Sequence, residues 1–332
     1  MDQVLLLLIL VFIAGVAFDF INGFHDTANA IATVVATRVL PLQTAILLAA
    51  GFNVLGALSG TAVAETVGKG IVEPGTITQT VVLAGLIGAI SWNLFTWFFG
   101  IPSSSSHALI GGLLGAGAAH AGFSSWEWNG IEKTLIALVG SPIIGFIGGL
   151  FLITLLVRLA WRAKPRTATR TFRGLQLLSA MFMAFSHGSN DAQKTMGILT
   201  LALFTSGRID TFAVPGWVVL IAAVAMGLGT AAGGKRIIHT MGDKIIRLEP
   251  IHGFAAETAA ASVITVASHF GFPVSTTHVI SSSIMGVGSV RGKSGVRWSV
   301  ARSIVTAWVL TIPACALVGA LSLVLLSLVF SK

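Results

Sequence analysis

Charge is scarce in this chain. Asp, Glu, Lys and Arg make up 10% of its 332 residues, whereas 55% are hydrophobic, and mean hydropathy is +0.90. A soluble domain carries about 25% charged residues to coat its surface. Two soluble domains, the ordinary expectation for this length, are therefore excluded, and most of the exterior must meet lipid. The same numbers exclude disorder. The 38 glycines follow no three-residue period, which excludes a collagen-like chain. Small residues are common where membrane helices pack closely. Cysteine is almost absent: Cys315 alone excludes an internal disulfide and any multi-cysteine zinc or iron–sulfur site, and its apolar run makes it a buried small hydrophobe. Met1-Asp2-Gln3 lacks a positive n-region, so residues 3–21 read as a retained first span rather than a cleaved signal. No lipidation motif is present.

What charge there is, is concentrated. Of the 20 Lys and Arg, 14 lie in the stretches 158–173, 235–249 and 291–302. The first holds Arg158, Arg162, Lys164, Arg166, Arg170 and Arg173 and no acid. Basic clusters beside apolar runs are what cytoplasmic loops of membrane proteins carry. Nucleic-acid binding is the rival reading of a basic chain. It fails here because the charge is confined to loop-length gaps without aromatic interleaving. Residues 235–249 are expected to form a short amphipathic helix on the cytoplasmic face, and Trp126, Trp128, Trp161, Trp217 and Trp298 mark span ends as an interfacial belt.

A helix needs about 20 apolar residues to cross a bilayer. Such runs cover 3–21, 42–64, 78–99, 131–157, 215–233, 252–270 and 303–330, with a less pure one over 174–205. Two shorter stretches, 102–121 and 273–290, begin with proline and a hydroxyl cluster and read as re-entrant hairpins or broken helices. The chain is also duplicated. Phe99-Gly100-Ile101-Pro102-Ser103-Ser104-Ser105-Ser106-His107 returns as Phe270-Gly271-Phe272-Pro273-Val274-Ser275-Thr276-Thr277-His278, and Gly23-Phe24-His25-Asp26-Thr27-Ala28-Asn29 returns more loosely as Gly188-Ser189-Asn190-Asp191-Ala192-Gln193-Lys194. The fold expected is an all-α polytopic membrane protein of two repeats, 1–157 and 174–332, joined by a basic cytoplasmic linker, 158–173. Matching interrupted segments in two halves mark secondary transporters built from repeats. The repeats are inverted if each half crosses an odd number of times, which a non-basic N-terminus and a cytoplasmic linker favour.

A carboxylate at membrane depth is expensive, at least about 2.5–3.5 kcal/mol on insertion scales. Asp26 and Asp191 recur at matching places amid Asn22, His25, Asn29, His187, Asn190, Gln193 and Lys194. That polarity predicts unwound backbone lining a cavity, with carboxylate and amide oxygens suited to a small hard cation; a lone Asp equally carries a proton. A buried salt bridge or cap is the plainer alternative, less able to explain the recurrence. Asp19 is a further candidate to line the cavity, and Glu257, in an Ala-rich span, a further coupling-ion candidate. Ser104, Ser105 and Ser106 in one half, and Ser275, Thr276 and Thr277 in the other, open short segments after proline. Hydroxyls and free N–H groups at a helix start suit an anion, though ordinary capping uses the same residues. His107 and His278 orient these hydroxyls or touch the anion directly. Lys194 either attracts the anion or pairs with Asp191. No resident metal or cofactor is expected.

These motifs resemble those of the inorganic phosphate transporter (PiT) family of bacterial low-affinity type. Gly23-Phe24-His25-Asp26-Thr27-Ala28-Asn29-Ala30 resembles its GANDVANA signature, residues 189–194 its second copy, and Ser104-Ser105-Ser106-His107 with Ser275-Thr276-Thr277-His278 its paired S/T-T-H motifs. The resemblance implies phosphate symport with Na⁺ or H⁺, with phosphate possibly carried as a metal complex. It implies an inverted-repeat fold, a homodimer in the cytoplasmic membrane, and a shared site lined by Asp26, Asn29, Asp191 and the hydroxyl clusters. His25 replaces the signature's first Asn, Gln193-Lys194 replace its Ala-Asn, and Asn53 stands where eukaryotic members are acidic. The same sodium ligands therefore do not recur in both halves. Sulfate transport is the runner-up. An intramembrane Ser–His hydrolase is disfavoured because the hydroxyls and His share one helix start and the motif occurs twice. A passive channel is the third alternative.

Overall fold

The computed structural model describes residues 3–330, apart from the side chains of Lys235 and Lys293; Met1 and Asp2, which entered the reading of the N-terminus, lie outside the described residues, as do Ser331 and Lys332. Among the described residues there is no strand, only an isolated bridge between Val72 and Trp126. The helices run α1 (Gln3–Ala36), α2 (Leu42–Ala57), α3 (Ala62–Gly70), α4 (Gln79–Phe99), α5 (Ser105–Ala121), α6 (Trp128–Leu159), α7 (Pro165–Thr205), α8 (Gly216–Ala232), α9 (Lys235–His239), α10 (Pro250–His269), α11 (Thr276–Ser289) and α12 (Trp298–Phe330). Among the described residues, α1, α4, α6 and α12 are each long and apolar enough to cross a membrane, and the bent pairs α2–α3 (72°) and α8 with Arg236–Lys244 (67°) would bring the number to six. Helices α6 and α12 leave Ile136, Ile143, Ile147 and Phe151, and Val309, Leu317, Leu325 and Leu328, more than half exposed. Water would penalise such faces and hydrocarbon does not. The chain is an integral membrane protein.

The two proline-led segments show how sequence dictates the local fold. Gly100 (φ +65°) and Gly271 (φ +74°) take the left-handed conformation that stops α4 and α10 and that glycine adopts without a Cβ clash. Pro102 and Pro273 then hold an extended stretch. Ser104 and Ser275 sit at the N-caps, each hydroxyl accepting from the N–H of the histidine three residues on (3.1 and 3.3 Å), the usual start of a helix. Helices α5 (17 residues) and α11 (14 residues) rise about 1.5 Å per residue. Both fall short of the roughly 30 Å hydrocarbon core. Each packs back on the helix before it.

Packing between the halves is reciprocal: α1 lies on α8 and α7 on α2; α5 lies on α12 and α11 on α6. Backbones touch at glycines. A Cβ on Gly23 would sit 2.5 Å from the Met226 carbonyl and one on Gly229 2.1 Å from that of Phe20; in the mirror contact, Gly188 faces Asn53 O at 2.1 Å and Gly56 faces Phe185 O at 2.0 Å. Pro142 in α6 and Pro313 in α12 stand 171 positions apart, the spacing of the two Pro–hydroxyl motifs.

Four expectations change. The backbone at both Asp motifs is helical, inside the unbroken α1 and α7, not unwound: side chains alone supply the polarity, and the i→i−4 bonds stay intact. The run 42–64 is a broken helix, so chain breaks occur at α2–α3 and α8–α9 instead. The basic stretch 158–173 is mostly helical, because Lys164-Pro165 is a favourable helix start and α7 begins there. Residues 235–249 form α9 and a single π turn, Thr240–Lys244, whose Ile237, Ile238, Met241, Ile245 and Ile246 are buried in the protein core rather than laid on a lipid surface.

Candidate functional site

On α1, Asp19, Asn22, Asp26, Asn29 and Thr33 alternate three and four apart, which puts them on one helix face. All are buried. On α7 the matching face carries His187, Asp191, Lys194 and Thr195, also buried. One carboxylate oxygen each from Asp26 and Asp191 and a ring nitrogen of His187 lie within 4.8 Å of one another, so residues 165 positions apart share one pocket.

Hydroxyls from both proline-led segments surround this pair. Ser105 Oγ and Thr277 Oγ1 each donate to the Asp26 carboxylate at 3.4 Å; Thr276 Oγ1 donates to Asp191 Oδ2 at 2.8 Å. Asn29 Nδ2 donates to Thr276 Oγ1 (3.2 Å) and Thr277 Oγ1 (2.9 Å). Asp26 thus receives one hydroxyl from each half, and Thr276 and Thr277 join the two carboxylates. The segments meet directly as well: the rings of His107 and His278 are 4.4 Å apart, His278 stacks on Trp308 at 3.9 Å, and Ser106 Oγ donates to Val274 O at 3.1 Å.

The histidines and the lysine hold the carboxylates in place. His25 Nδ1 lies 2.6 Å from Asp26 Oδ1, and its Nε2 3.0 Å from Thr96 Oγ1. Thr96 meets Ser103 at 2.7 Å. In the second half His187 Nε2 lies 3.0 Å from Asp191 Oδ2, and its Nδ1 lies 3.1 Å from Asn53 Oδ1, which fixes the ring. The Lys194 ammonium binds Asp191 Oδ1 and donates to Val274 O at 2.9 Å. Position 53, neutral here, therefore supports a histidine.

Several sequence candidates lie elsewhere. Ser104 and Ser275 are spent as N-caps, and Ser104 Oγ also meets His107 Nδ1 at 2.8 Å. Gln193 caps α3 instead of facing the pair: its Oε1 accepts from Val63 N at 2.8 Å and its Nε2 donates to Ser189 O. Asn190 braces α7 against the second hairpin through Ser268 Oγ (2.8 Å) and Phe272 O. Glu257 lies apart, accepting from Thr33, Ser179 and Gln176; Thr33 is seven residues, about 10 Å of helix, from Asp26. Sequence reasoning passed over Thr96, Thr230 and Asn93. Their only signal was a polar side chain inside an apolar run. Thr230 accepts from Asn53 Nδ2 at 2.8 Å.

A model of the phosphate transporter family matches residues 22–319. The chain is 53% identical to a probable low-affinity inorganic phosphate transporter of Rhizobium meliloti (strain 1021), over 97% of each chain. It is 47% identical to one of Bacillus subtilis (strain 168), over 99% of this chain and all of that one. A solved structure described as the sodium-dependent phosphate transporter matches it with a TM-score of 0.86 at 26% identity, covering 97% of this chain and 99% of the other.

Proposed function

The chain belongs to the phosphate transporter family, and from that premise we propose that it is a secondary symporter moving inorganic phosphate across the bacterial cell membrane, driven by Na⁺ or H⁺. Transporters of this family are not enzymes, which leaves the hydrolase reading without support. One observation carries the mechanism. Asp26 and Asp191 converge with hydroxyls from two capped helix starts, so a cation site and an anion site share a wall.

The cation binds between Asp26 and Asp191, where carboxylates and Asn29 offer oxygen donors. Phosphate sits against Ser105, Ser106, Thr276 and Thr277 and the free N–H groups of α5 and α11, with Lys194 and Asn29 within reach. Lys194 and one bound cation together balance Asp26 and Asp191, whereas phosphate entering without the cation would leave at least two uncompensated negative charges, which are expensive to move at low dielectric. The cation must therefore be in place for phosphate to cross, with the hydroxyls and free N–H groups holding the charge that the anion adds. His25 and His187 orient the carboxylates; His107 and His278 set the hydroxyl rotamers. Asn190, Gln193 and Glu257 act at one remove, through helix placement.

Carboxylate acceptors beside the hydroxyls favour an oxyanion that keeps a proton to donate. Phosphate does so near neutral pH and sulfate does not, and none of the relatives above is named for sulfate. The Asp26–His187–Asp191 cluster offers the ligands a divalent ion would need, which supports metal–phosphate as an alternative form of the cargo. The reciprocal packing and the 171-residue spacing of Pro142 and Pro313 support two inverted repeats, 1–157 and 174–332, about the 158–173 linker, with α4–α5 and α10–α11 as re-entrant hairpins. The homodimer implied by the family resemblance belongs to the same proposal.

Labelled phosphate uptake into proteoliposomes, with sodium and pH gradients imposed separately, tests the reading. Saturable uptake under at least one gradient, abolished in Asp26→Asn, is expected. No uptake under either would sink it, and uptake indifferent to gradients would return the channel reading.

A further inference from the structure

Asp19 takes no part in the site described above. It is fully buried; the Thr195 hydroxyl lies beside it without completing a well-formed hydrogen bond, and neither carboxylate oxygen has another partner among the described residues. Buried polar atoms are nearly always paired, so two orphaned oxygens on a carboxylate call for an explanation. Asp19 does not stand alone. Both amide atoms of Asn22, one turn along α1, are likewise buried and unpartnered, as are both of Asn93 and the hydroxyl of Thr195.

The packing brings these groups together. Thr195 lies beside Asp19. Contact of Gly15 with Leu199, seven residues before Asn22 and eight after Asp191, runs α1 antiparallel to α7. Hydrogen bonds from His25 to Thr96 and from Gln79 to Ala202 O run α4 parallel to α1, which places Asn93 at the level of Asn22. Four side chains from three helices thus offer a carboxylate, two amide oxygens and a hydroxyl, the donor set of a small hard cation.

Charge points the same way. Three carboxylates, Asp19, Asp26 and Asp191, share one ammonium, Lys194, which binds Asp191, and the two imidazoles, of His25 and His187, lie against Asp26 and Asp191. Of the helices packed here, α4, α2 and α8 carry no titratable side chain. Asp191 and Lys194 on α7 lie within electrostatic reach of Asp19; Asp26 and His25 follow two turns along α1. A cation at the central pair would still leave Asp19 without a positive group in contact with it. Duplication does not account for it, since the residue 165 positions after Asp19 is Ala184.

We propose that Asp19, with Asn22, Asn93 and Thr195, forms a second site for a monovalent cation, a sodium ion or a proton, distinct from the Asp26–Asp191 pair. The proposal rests on the symport reading and deepens it: the cation at Asp19 is a further driving ion, taken up two turns of α1 from the phosphate.

At equilibrium, phosphate accumulation follows the cation gradient raised to the number of cations carried per phosphate. The test is that exponent in proteoliposomes, with sodium and proton gradients imposed separately, for wild type, Asp19→Asn and Asp19→Glu. In Asp19→Asn the exponent is expected to fall by one, an about tenfold lower accumulation per tenfold gradient, while Asp19→Glu keeps it. The gradient under which the loss appears identifies the ion as sodium or proton. An unchanged exponent under both gradients overturns the proposal and leaves phosphate symport standing, whereas absent uptake by wild type sinks the symport reading itself. Should Asp19→Asn fail to fold, wild-type protein serves. Carbodiimide labelling of Asp19, mapped by mass spectrometry, is expected to be suppressed by sodium or by alkaline pH. Labelling indifferent to both overturns the proposal.

Discussion

Replacing Lys194 by Met tests whether the lysine serves to neutralise Asp191. Both side chains are almost wholly buried, 2% and 1% exposed. Methionine keeps the length and the apolar stem and removes the charge. Asp191 would retain the Thr276 hydroxyl and the nearby His187, and Val274 O would retain Ser106, so the change isolates the ammonium. At an effective dielectric near 20, two unit charges about 4 Å apart attract by about 4 kcal/mol. Breaking one partner of a buried pair costs about 3–5 kcal/mol, because a lone charge is left without water. Lys194→Met and Asp191→Asn should each destabilise by that amount, read as the unfolding free energy from denaturant titration in mixed micelles. The double variant has no lone charge and should lie within about 2 kcal/mol of wild type, as neutral replacements of buried pairs often do. A coupling energy of about 3 kcal/mol or more follows from the cycle. Additive losses would refute the reasoning and return Lys194 to the role of anion ligand alone.

Thr276→Ala should weaken phosphate binding by about 5-fold, one lost hydrogen bond of about 1 kcal/mol, as read by isothermal titration; unchanged affinity would remove Thr276 from the site. Gly188→Ala should destabilise by about 1–3 kcal/mol through overpacking, since its Cβ would meet the Asn53 backbone, and thermal inactivation rates should rise accordingly. Ser104→Ala and Ser275→Ala should each cost about 1 kcal/mol as lost caps, additively in stability measurements. Glu257→Leu should destabilise by more than either cap, because Thr33, Ser179 and Gln176 each lose an acceptor, at about 1–3 kcal/mol per unsatisfied buried group.

The site was legible wherever the chain had to break a membrane rule. Acids, four hydroxyls in a row and paired Pro–Gly stops stand out against an apolar background, and their recurrence tied Asp26 to Asp191 and Ser105 to Thr276 before any coordinates. Polarity was the wrong guide to backbone. Asp26 and Asp191 read as unwound because polar residues are costly on a lipid-facing helix, but a helix wholly inside the protein can keep its hydrogen bonds and turn a polar face inward. Composition cannot tell these cases apart, since the difference lies in what covers the helix. Glu257 shows the same difficulty: a buried polar group satisfied by neighbours, here Thr33, Ser179 and Gln176, looks, in one dimension, like one held for a ligand. Asn93 and Thr195 were missed because one polar residue per span carries no pattern.

The exchange of glycine contacts sets an order on biosynthesis. The nearest cover for Gly23 comes from residues 216–232, and that for Gly56 from α7. The leading segment leaving the ribosome must therefore wait in the bilayer with bare main chain until the trailing one arrives. Two separately expressed fragments cut near residue 162 should consequently be degraded alone yet recover when made together.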